Sequence, residues 1–106
     1  MDDRPGPAFA VLYRWRLVPG REASFEAAWA RMTERIAADA GGLGSRLHRA
    51  ADGTWAAYAQ WSDRAAWEAM ALDDAEAATL RRTMADAVAE TLPTETFEIV
   101  RDLFRP

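Results

Sequence analysis

Residues 45–61, SRLHRAADGTWAAYAQW, contain the pattern that decides the fold. Asp52-Gly53 stands near the middle, and such a pair readily supplies the positive backbone φ angles that a tight hairpin turn needs. A short segment over 45–50 precedes the turn, and an alternating segment over 54–61 follows it. Both segments are predicted strands, because the side chains of a strand alternate between two faces. The stretch therefore predicts an antiparallel β-hairpin in the middle of the chain.

The residues before the hairpin predict a strand followed by a helix. Side chains alternate over residues 9–18, which is typical of a strand, and Pro19-Gly20 ends it. A helix is expected from Ser24, or up to one turn earlier, to Ala40, because apolar residues recur there at every third or fourth position. The glycine-rich run 41–44 ends this helix. It precedes a strand, whereas a phosphate-binding loop follows a strand and opens a helix, so we expect no phosphate site there.

Two further helical segments and a strand are predicted after the hairpin. Ser62 is the expected N-cap of a helix over 63–72, and Asp73 or Asp74 that of a second stretch reaching about residue 91. Residues 95–104 alternate again. The order β-α-β-β-α-β predicts an α+β, ferredoxin-like fold, an antiparallel sheet with the helices on one face. Residues 1–7 are expected to form a flexible N-terminal arm and residues 8–106 a single domain.

The composition excludes several classes of chemistry. The sequence has no Cys, and all 13 of its cations are Arg, which rules out thiolate nucleophiles and lysine Schiff bases. A single His is too few for a His-rich metal site, so no metal is predicted. The net charge of −4 argues against nucleic-acid binding. No apolar stretch approaches the about 20 residues of a membrane span, so we expect a soluble, cytoplasmic protein.

The face of the sheet away from the helices is predicted to need a cover. Its apolar positions are interleaved with charged ones, and an uncovered apolar patch of this kind marks an interaction surface. We expect a homodimer through this face, with Arg14 and Arg16 paired with Glu98 and Asp102, and with His48 in a structural or interface role. The remaining positions assigned to this face are Ala10, Leu12, Tyr58, Gln60, Val100 and Phe104.

Most of the large aromatic side chains are predicted to lie between the sheet and the helices. They can simply fill the core, but flat rings beside alanines pack with voids, and such a void suits a planar aromatic ligand. Arg81 is expected near the rim of this pocket, with a plain surface position as the alternative. The aromatic set is Tyr13, Trp15, Trp29, Trp55, Trp61 and Trp67.

Several short motifs give the sequence a family resemblance. Residues 9–104 resemble the antibiotic biosynthesis monooxygenase (ABM) domain family, which belongs to the dimeric α+β barrel superfamily. The motifs are Val18-Pro19-Gly20, Gly42-Leu43-Gly44-Ser45, Asp52-Gly53-Thr54 and Tyr58-Ala59-Gln60-Trp61-Ser62 with Ala66-Trp67.

The resemblance implies a cofactor-independent monooxygenase. The family's aromatic-polyketide oxygenases add molecular oxygen to anthrone-like substrates without metal, flavin or haem, which implies a polycyclic aromatic or quinol-type substrate and no cofactor here. Trp61 matches a pocket tryptophan proposed to assist the substrate carbanion, and Arg81 matches a pocket arginine. Trp67 and Ala57 fall where those oxygenases carry a tyrosine and an asparagine. The family's haem-degrading branch uses a strand asparagine, a tryptophan and a helix histidine. Tyr13 stands at the asparagine position and the helix histidine is missing here, so that activity is not expected.

The expected site combines both lines of reasoning. Trp61, Tyr13 and Arg81 are the candidate catalytic residues, since each can donate a hydrogen bond to an enolate oxygen or stabilise its charge. The absence of any asparagine favours an alternative, a non-oxidative binding protein or a cyclase- or isomerase-type enzyme; a mainly structural dimer is the third hypothesis. The candidate substrate-binding residues are Trp15, Trp29, Trp55, Ala57 and Trp67.

Overall fold

The computed structural model describes residues 6–105, so most of the predicted arm over 1–7 lies outside the described residues. The regular elements follow one another as strand, helix, two strands, two helices and two strands. Their bounds are β1 Phe9–Leu17, α1 Glu22–Asp39, β2 Ser45–Arg49, β3 Trp55–Trp61, α2 Arg64–Glu68, α3 Ala75–Ala87, β4 Val88–Thr91 and β5 Glu95–Glu98.

The strands form one antiparallel sheet in the order β2-β3-β1-β4, and β5 also pairs with β1. β4 pairs with the end of β1 and β5 with its beginning, so these two short strands occupy a single position along the edge of β1. Together they stand for the last strand of the ferredoxin-like pattern. The predicted α+β, ferredoxin-like fold is confirmed.

The helices cover one side of the sheet, called here the inner face. Phe9, Val11 and Trp61 are buried on it, and side chains from α1 and α2 pack against them. A second cluster joins α1 to α3 through Met32 and Ala77. The opposite side, called the outer face, carries Leu12 of β1 paired with Tyr58 of β3. One strand therefore supplies residues to both faces.

The helix boundaries differ in places from the predicted ones. α1 begins at Glu22, so Ser24 lies in its first turn and is not the cap; the Glu22 carboxylate instead accepts a hydrogen bond from the Gly20 N–H at 2.6 Å. Asp63, not Ser62, caps α2, because its carboxylate accepts the Ala66 N–H at 2.7 Å. α2 ends at Glu68 rather than at residue 72.

The end of α3 is the largest correction. Asp74 caps this helix as predicted, but the helix ends at Ala87, and residues 88–91 form β4 instead of a last helical turn. In β4, Val88 pairs with Leu17 of β1. This long-range pairing outweighs the local helical pattern, since β-branched residues favour strands.

The last strand is shorter than predicted, and its faces are reversed. It ends at Glu98 rather than at residue 104. Phe97 pairs with Ala10 and therefore lies on the outer face, whereas Glu98 pairs with Phe9 of the inner-face series. Within the chain, Arg14 approaches Glu95 at 3.6 Å and Arg16 approaches Glu90 at 3.3 Å. The predicted pairs with Glu98 and Asp102 join two copies of the chain. Glu98 lies in the inner-face series and therefore off that contact, while the pairing with Asp102 stays a prediction.

Candidate functional site

A cavity of about 280 Å³ lies between the inner face and the helices α1 and α3. The sheet contributes a floor of aromatic and small side chains, and the helices contribute mainly apolar walls. Its floor consists of Tyr13, Trp15, Ala57, Ala59 and Trp61. The volume is close to the lower end of the about 300–1,000 Å³ found for small-molecule pockets, so the space suits a compact ligand.

The space exists because two alanines follow one another on the inner side of β3. Ala57 pairs with Tyr13, and Ala59 pairs with Val11, while Trp61 stands at the end of the same row. The large rings keep the helices at a distance from the sheet, and the short alanine side chains do not fill the space between them. The alternation of β3 thus produces the cavity directly.

Trp61 presents the least satisfied polar group of the site. Its side chain is buried, with 3% of the residue exposed, and its indole N–H has no hydrogen-bond partner among residues 6–105. Leaving a buried donor unpaired costs about 1–3 kcal/mol. An acceptor atom that came within hydrogen-bond distance of this N–H would remove that penalty.

Tyr13 is held as a neutral phenol. Its hydroxyl oxygen accepts a hydrogen bond from the Trp67 indole N–H at 2.9 Å. Burial raises the pKa of Tyr13 above its usual value of 10.0, and the hydrogen bond from Trp67 offsets part of that effect. At neutral pH the group is therefore a hydrogen-bond donor and not a base.

Arg81 is the only charged residue among the described residues that line the cavity. It lies on α3 with 45% of its side chain exposed, which places it toward solvent, and its guanidinium is 3.9 Å from the Asp73 carboxylate. A partly solvated cation at this position favours a ligand that carries negative charge. None of the described lining residues is Asp, Glu or His, so the cavity wall offers no evident general base.

The structure brings together most of the predicted site residues, but two of them do not line the cavity. Trp55 shares the inner face, yet its ring packs near Phe25, at 6.4 Å between centroids, and under the Arg49 guanidinium at 5.8 Å. It borders a separate groove beside α1 and β2. Trp67 lies behind Tyr13 and reaches the cavity only through that hydroxyl. The predicted residues that do line it are Tyr13, Trp15, Trp29, Ala57, Trp61 and Arg81.

Sequence reasoning missed several lining residues, including Thr33, Met70 and Gly42. A Cβ added to Gly42 would stand 2.7 Å from Cγ2 of Ile36, another lining residue. The glycine run continues the β2–β3 pairing, since the Leu43 N–H donates to the Gln60 carbonyl at 3.0 Å. The glycine run directly precedes the strand of the predicted hairpin that pairs with β3. This closeness in sequence was the signal that could have placed the glycines beside the cavity.

Comparison with protein families bears on the same region. The family model for antibiotic biosynthesis monooxygenases matches residues 8–71, which is more than half of the chain. The chain belongs to the antibiotic biosynthesis monooxygenase family. The match includes β1, α1, β2, β3 and α2, and hence the sheet part of the cavity. A search of the curated proteins finds no match.

Solved structures show the same fold for this ABM-family chain. A candidate antibiotic biosynthesis monooxygenase from Caulobacter crescentus superposes with a TM-score of 0.74 at 17% identity, covering 92% of this chain and 93% of the other. One from Bordetella bronchiseptica gives 0.73 at 20%, covering 91% and 100%. SnoaB, a cofactor-independent oxygenase from Streptomyces nogalater, gives 0.72 at 19%, covering 92% and 98%. No helix within residues 6–105 is both long and apolar enough to cross a membrane.

Proposed function

We propose that the protein is a cofactor-independent monooxygenase that uses molecular oxygen on a polycyclic aromatic or quinol-type substrate. The observation that carries the proposal is Trp61, which lines the aromatic cavity and whose buried indole N–H has no hydrogen-bond partner among residues 6–105. A buried donor without an acceptor is what a site for an enolate or carbonyl oxygen would present. Membership of the ABM family and the likeness to an oxygenase of the same fold support it.

The lining residues suit a substrate that ionises readily. Because the described part of the wall holds no carboxylate or imidazole, a carbon acid such as an anthrone would have to lose its proton to water. Arg81 then stabilises the anion by charge, while Tyr13 and Trp61 donate hydrogen bonds to its oxygen. The rings of Trp15 and Trp29 hold the substrate plane and keep out water.

The reaction of an anthrone balances without another oxidant. The carbanion gives one electron to O2, and the resulting radical and superoxide join in a C–O bond, forming a peroxide that takes up a proton. Loss of the remaining proton from that carbon breaks the O–O bond and leaves a ketone and water. One oxygen atom enters the quinone and the other enters water. The protein contributes only by orienting the ring and by stabilising the anion.

Oxygen consumption tests the proposal directly. The purified protein is given anthrone, and separately a dihydroquinone, in the presence of a chelator and with no added cofactor. We expect uptake above the uncatalysed rate, and a loss of at least about tenfold in Trp61→Phe, which removes one donor from the transition state. The matched control is Trp55→Phe, which alters an indole outside the cavity and should keep the wild-type rate. Uptake equal to the uncatalysed rate, or an unaffected Trp61→Phe variant, would contradict the proposal.

One observation favours a second candidate, a non-oxidative binding protein or a cyclase- or isomerase-type enzyme. Ala57 lies on the cavity floor opposite Tyr13 and offers no polar group, so an enolate would lack a side-chain amide at that position. Quenching of tryptophan fluorescence by the same aromatic compounds, without oxygen uptake, would select this candidate. The third hypothesis is a mainly structural dimer, whose aromatic side chains fill the core. Such a protein would show neither fluorescence quenching nor oxygen uptake.

The assembly belongs to the same proposal. We infer that a second copy of the chain covers the outer face, where a groove of about 670 Å³ runs past Leu12, Tyr58 and Phe104. Phe104 beside it is 69% exposed, and Val100, which precedes it in the chain, is 93% exposed. A symmetric homodimer is the simplest way to bury such a face.

A further inference from the structure

The hydrogen bond between Trp67 and Tyr13 joins a residue outside the cavity to one that lines it. An indole N–H can only donate, so the Tyr13 oxygen must be the acceptor in this 2.9 Å contact. The hydroxyl hydrogen of Tyr13 therefore remains available to donate, and among residues 6–105 the hydroxyl makes no other hydrogen bond. Because Tyr13 lines the cavity, we expect its hydroxyl hydrogen to find an acceptor in a ligand bound there.

Both rings of the pair are fixed by their neighbours. Tyr13 stacks on Trp15 with 6.1 Å between ring centroids and 11° between planes. Trp67 packs on Phe9 at 5.7 Å, and its helix is anchored by the Asp63 cap. Since neither ring can easily turn away, the indole N–H occupies the same side of the Tyr13 oxygen continuously. The hydroxyl hydrogen is thereby confined to the other side.

We propose that Trp67 is a positioning residue, which holds the Tyr13 hydroxyl as a donor to a carbonyl, phenolate or enolate oxygen of a flat ligand in the cavity. Trp61 supplies a second donor in the same wall, and Arg81 supplies positive charge. Hydrogen-bond donors and one cation, with no acid among the described lining residues, select ligands by their acceptor oxygens. The inference deepens the proposed function and rests on it for the choice of ligand class.

A coloured equilibrium probe tests the positioning role without turnover. The probe is 2-hydroxyanthraquinone, whose visible absorption changes when its hydroxyl ionises, and its pKa is measured in the bound state. Donation from Tyr13 stabilises the anion, so Tyr13→Phe should lower the ionisation constant of the bound probe by about tenfold, the effect of one charge-assisted hydrogen bond. Trp67→Phe should lower it in the same direction.

The double variant separates positioning from packing. If Trp67 acts through the hydroxyl, Trp67→Phe changes nothing further once Tyr13→Phe is present. Trp55→Phe is the matched control and should leave the bound probe at its wild-type pKa, because that indole lies outside the cavity. Should Trp67→Phe unfold the domain, Trp67→Met removes the same N–H with another apolar side chain.

The outcomes are distinct for the two proposals. Additive effects in the double variant, an unshifted probe in Tyr13→Phe, or no binding of the probe by the wild-type protein would each overturn the positioning role. Normal oxygen uptake together with any of these results leaves the oxygenase standing. Non-additive shifts without oxygen uptake support the positioning role and count against the oxygenase.

Discussion

At the scale of single residues, Gly42 shows how closely the cavity wall is packed. Its backbone does not need a positive φ, so alanine could adopt the same conformation. The obstacle is Ile36, whose Cγ2 would stand 2.7 Å from the added Cβ. Ile36 also lines the cavity, so any shift that relieves the clash must change the shape of the site. The lack of a side chain at residue 42 is therefore a feature of the pocket as much as of the helix end.

We predict that Gly42→Ala destabilises the domain by about 1–3 kcal/mol, the usual effect of overpacking, and weakens quenching of tryptophan fluorescence by anthrone. Adding Ile36→Leu should restore most of the stability, because leucine has no branch at Cβ. Thermal unfolding measures the loss of stability in Gly42→Ala and its recovery in the double variant. Gly6→Ala is the control, since its added methyl group would meet nothing within 4 Å. A Gly42→Ala variant as stable as wild type would show that the contact relaxes freely.

The site could be predicted from the sequence only position by position. Alternation along β1 and β3 correctly predicted that Tyr13, Ala57 and Trp61 share the inner face. It could not show that Trp55 packs with Phe25 away from the cavity, or that Trp67 bonds to Tyr13 from behind. Those relations depend on where a helix lies across the sheet, which a periodic pattern does not encode.

At the scale of elements, the accuracy of prediction follows the strength of the local signal. The β2–β3 hairpin was predicted within one residue at each end, because an Asp-Gly turn separates two strand-like segments. The segment after α3 has no such marker. Residues 88–91 continue an alanine-rich helical pattern, yet they pair with β1, and a short connection over 92–94 then reverses the faces of β5. Only the sheet itself decides between these alternatives.

An ion-pair cluster ties α1 to the beginning of α3. Both terminal guanidinium nitrogens of Arg35, Nη1 and Nη2, contact the Asp74 carboxylate, and the same guanidinium lies 3.2 Å from Glu76. Asp74 also caps α3 by accepting the Ala77 N–H at 2.9 Å. The hydrogen bond from Arg35, together with that from the backbone, holds the pKa of Asp74 well below its usual 3.8. The carboxylate thus acts as a cap and as a clamp between two helices.

We predict that Asp74→Ala lowers the melting temperature at pH 7 by roughly 5 °C, the scale of one lost helix cap in a domain of this size. Because the folded-state pKa is depressed, the contribution of Asp74 is present above about pH 4 and is lost as the pH falls toward that lower pKa. The difference in melting temperature between wild type and variant should therefore shrink below pH 4. Asp73→Ala is the control, since the Asp73 side chain is 86% exposed. A difference that is constant with pH would exclude the ionic part of this account.

At the scale of the whole molecule, the two faces of one sheet have different tasks in our proposal. β3 directs Ala57 and Trp61 toward the cavity and Tyr58 toward the outer face. Residues 99–105, which follow β5, lie without regular structure, yet Phe104 and Arg105 border the outer groove together with Leu12. A second copy seated there would bury these side chains and would brace the strand that forms the cavity floor.

We predict that the wild-type protein sediments as a dimer at micromolar concentration, whereas the double variant Leu12→Arg/Phe104→Arg sediments as a monomer. The added cations would lie beside Arg46 and Arg105 in the outer groove, so association would bring like charges together at low dielectric. Ala78→Arg adds a cation to the exposed side of α3 and should leave the dimer intact. A dimeric double variant would move the interface to another surface, and a monomeric wild type would remove the dimer altogether. If the dimer braces β3, the double variant should also bind anthrone more weakly while retaining its circular dichroism spectrum, because the cavity floor would lose its support from behind.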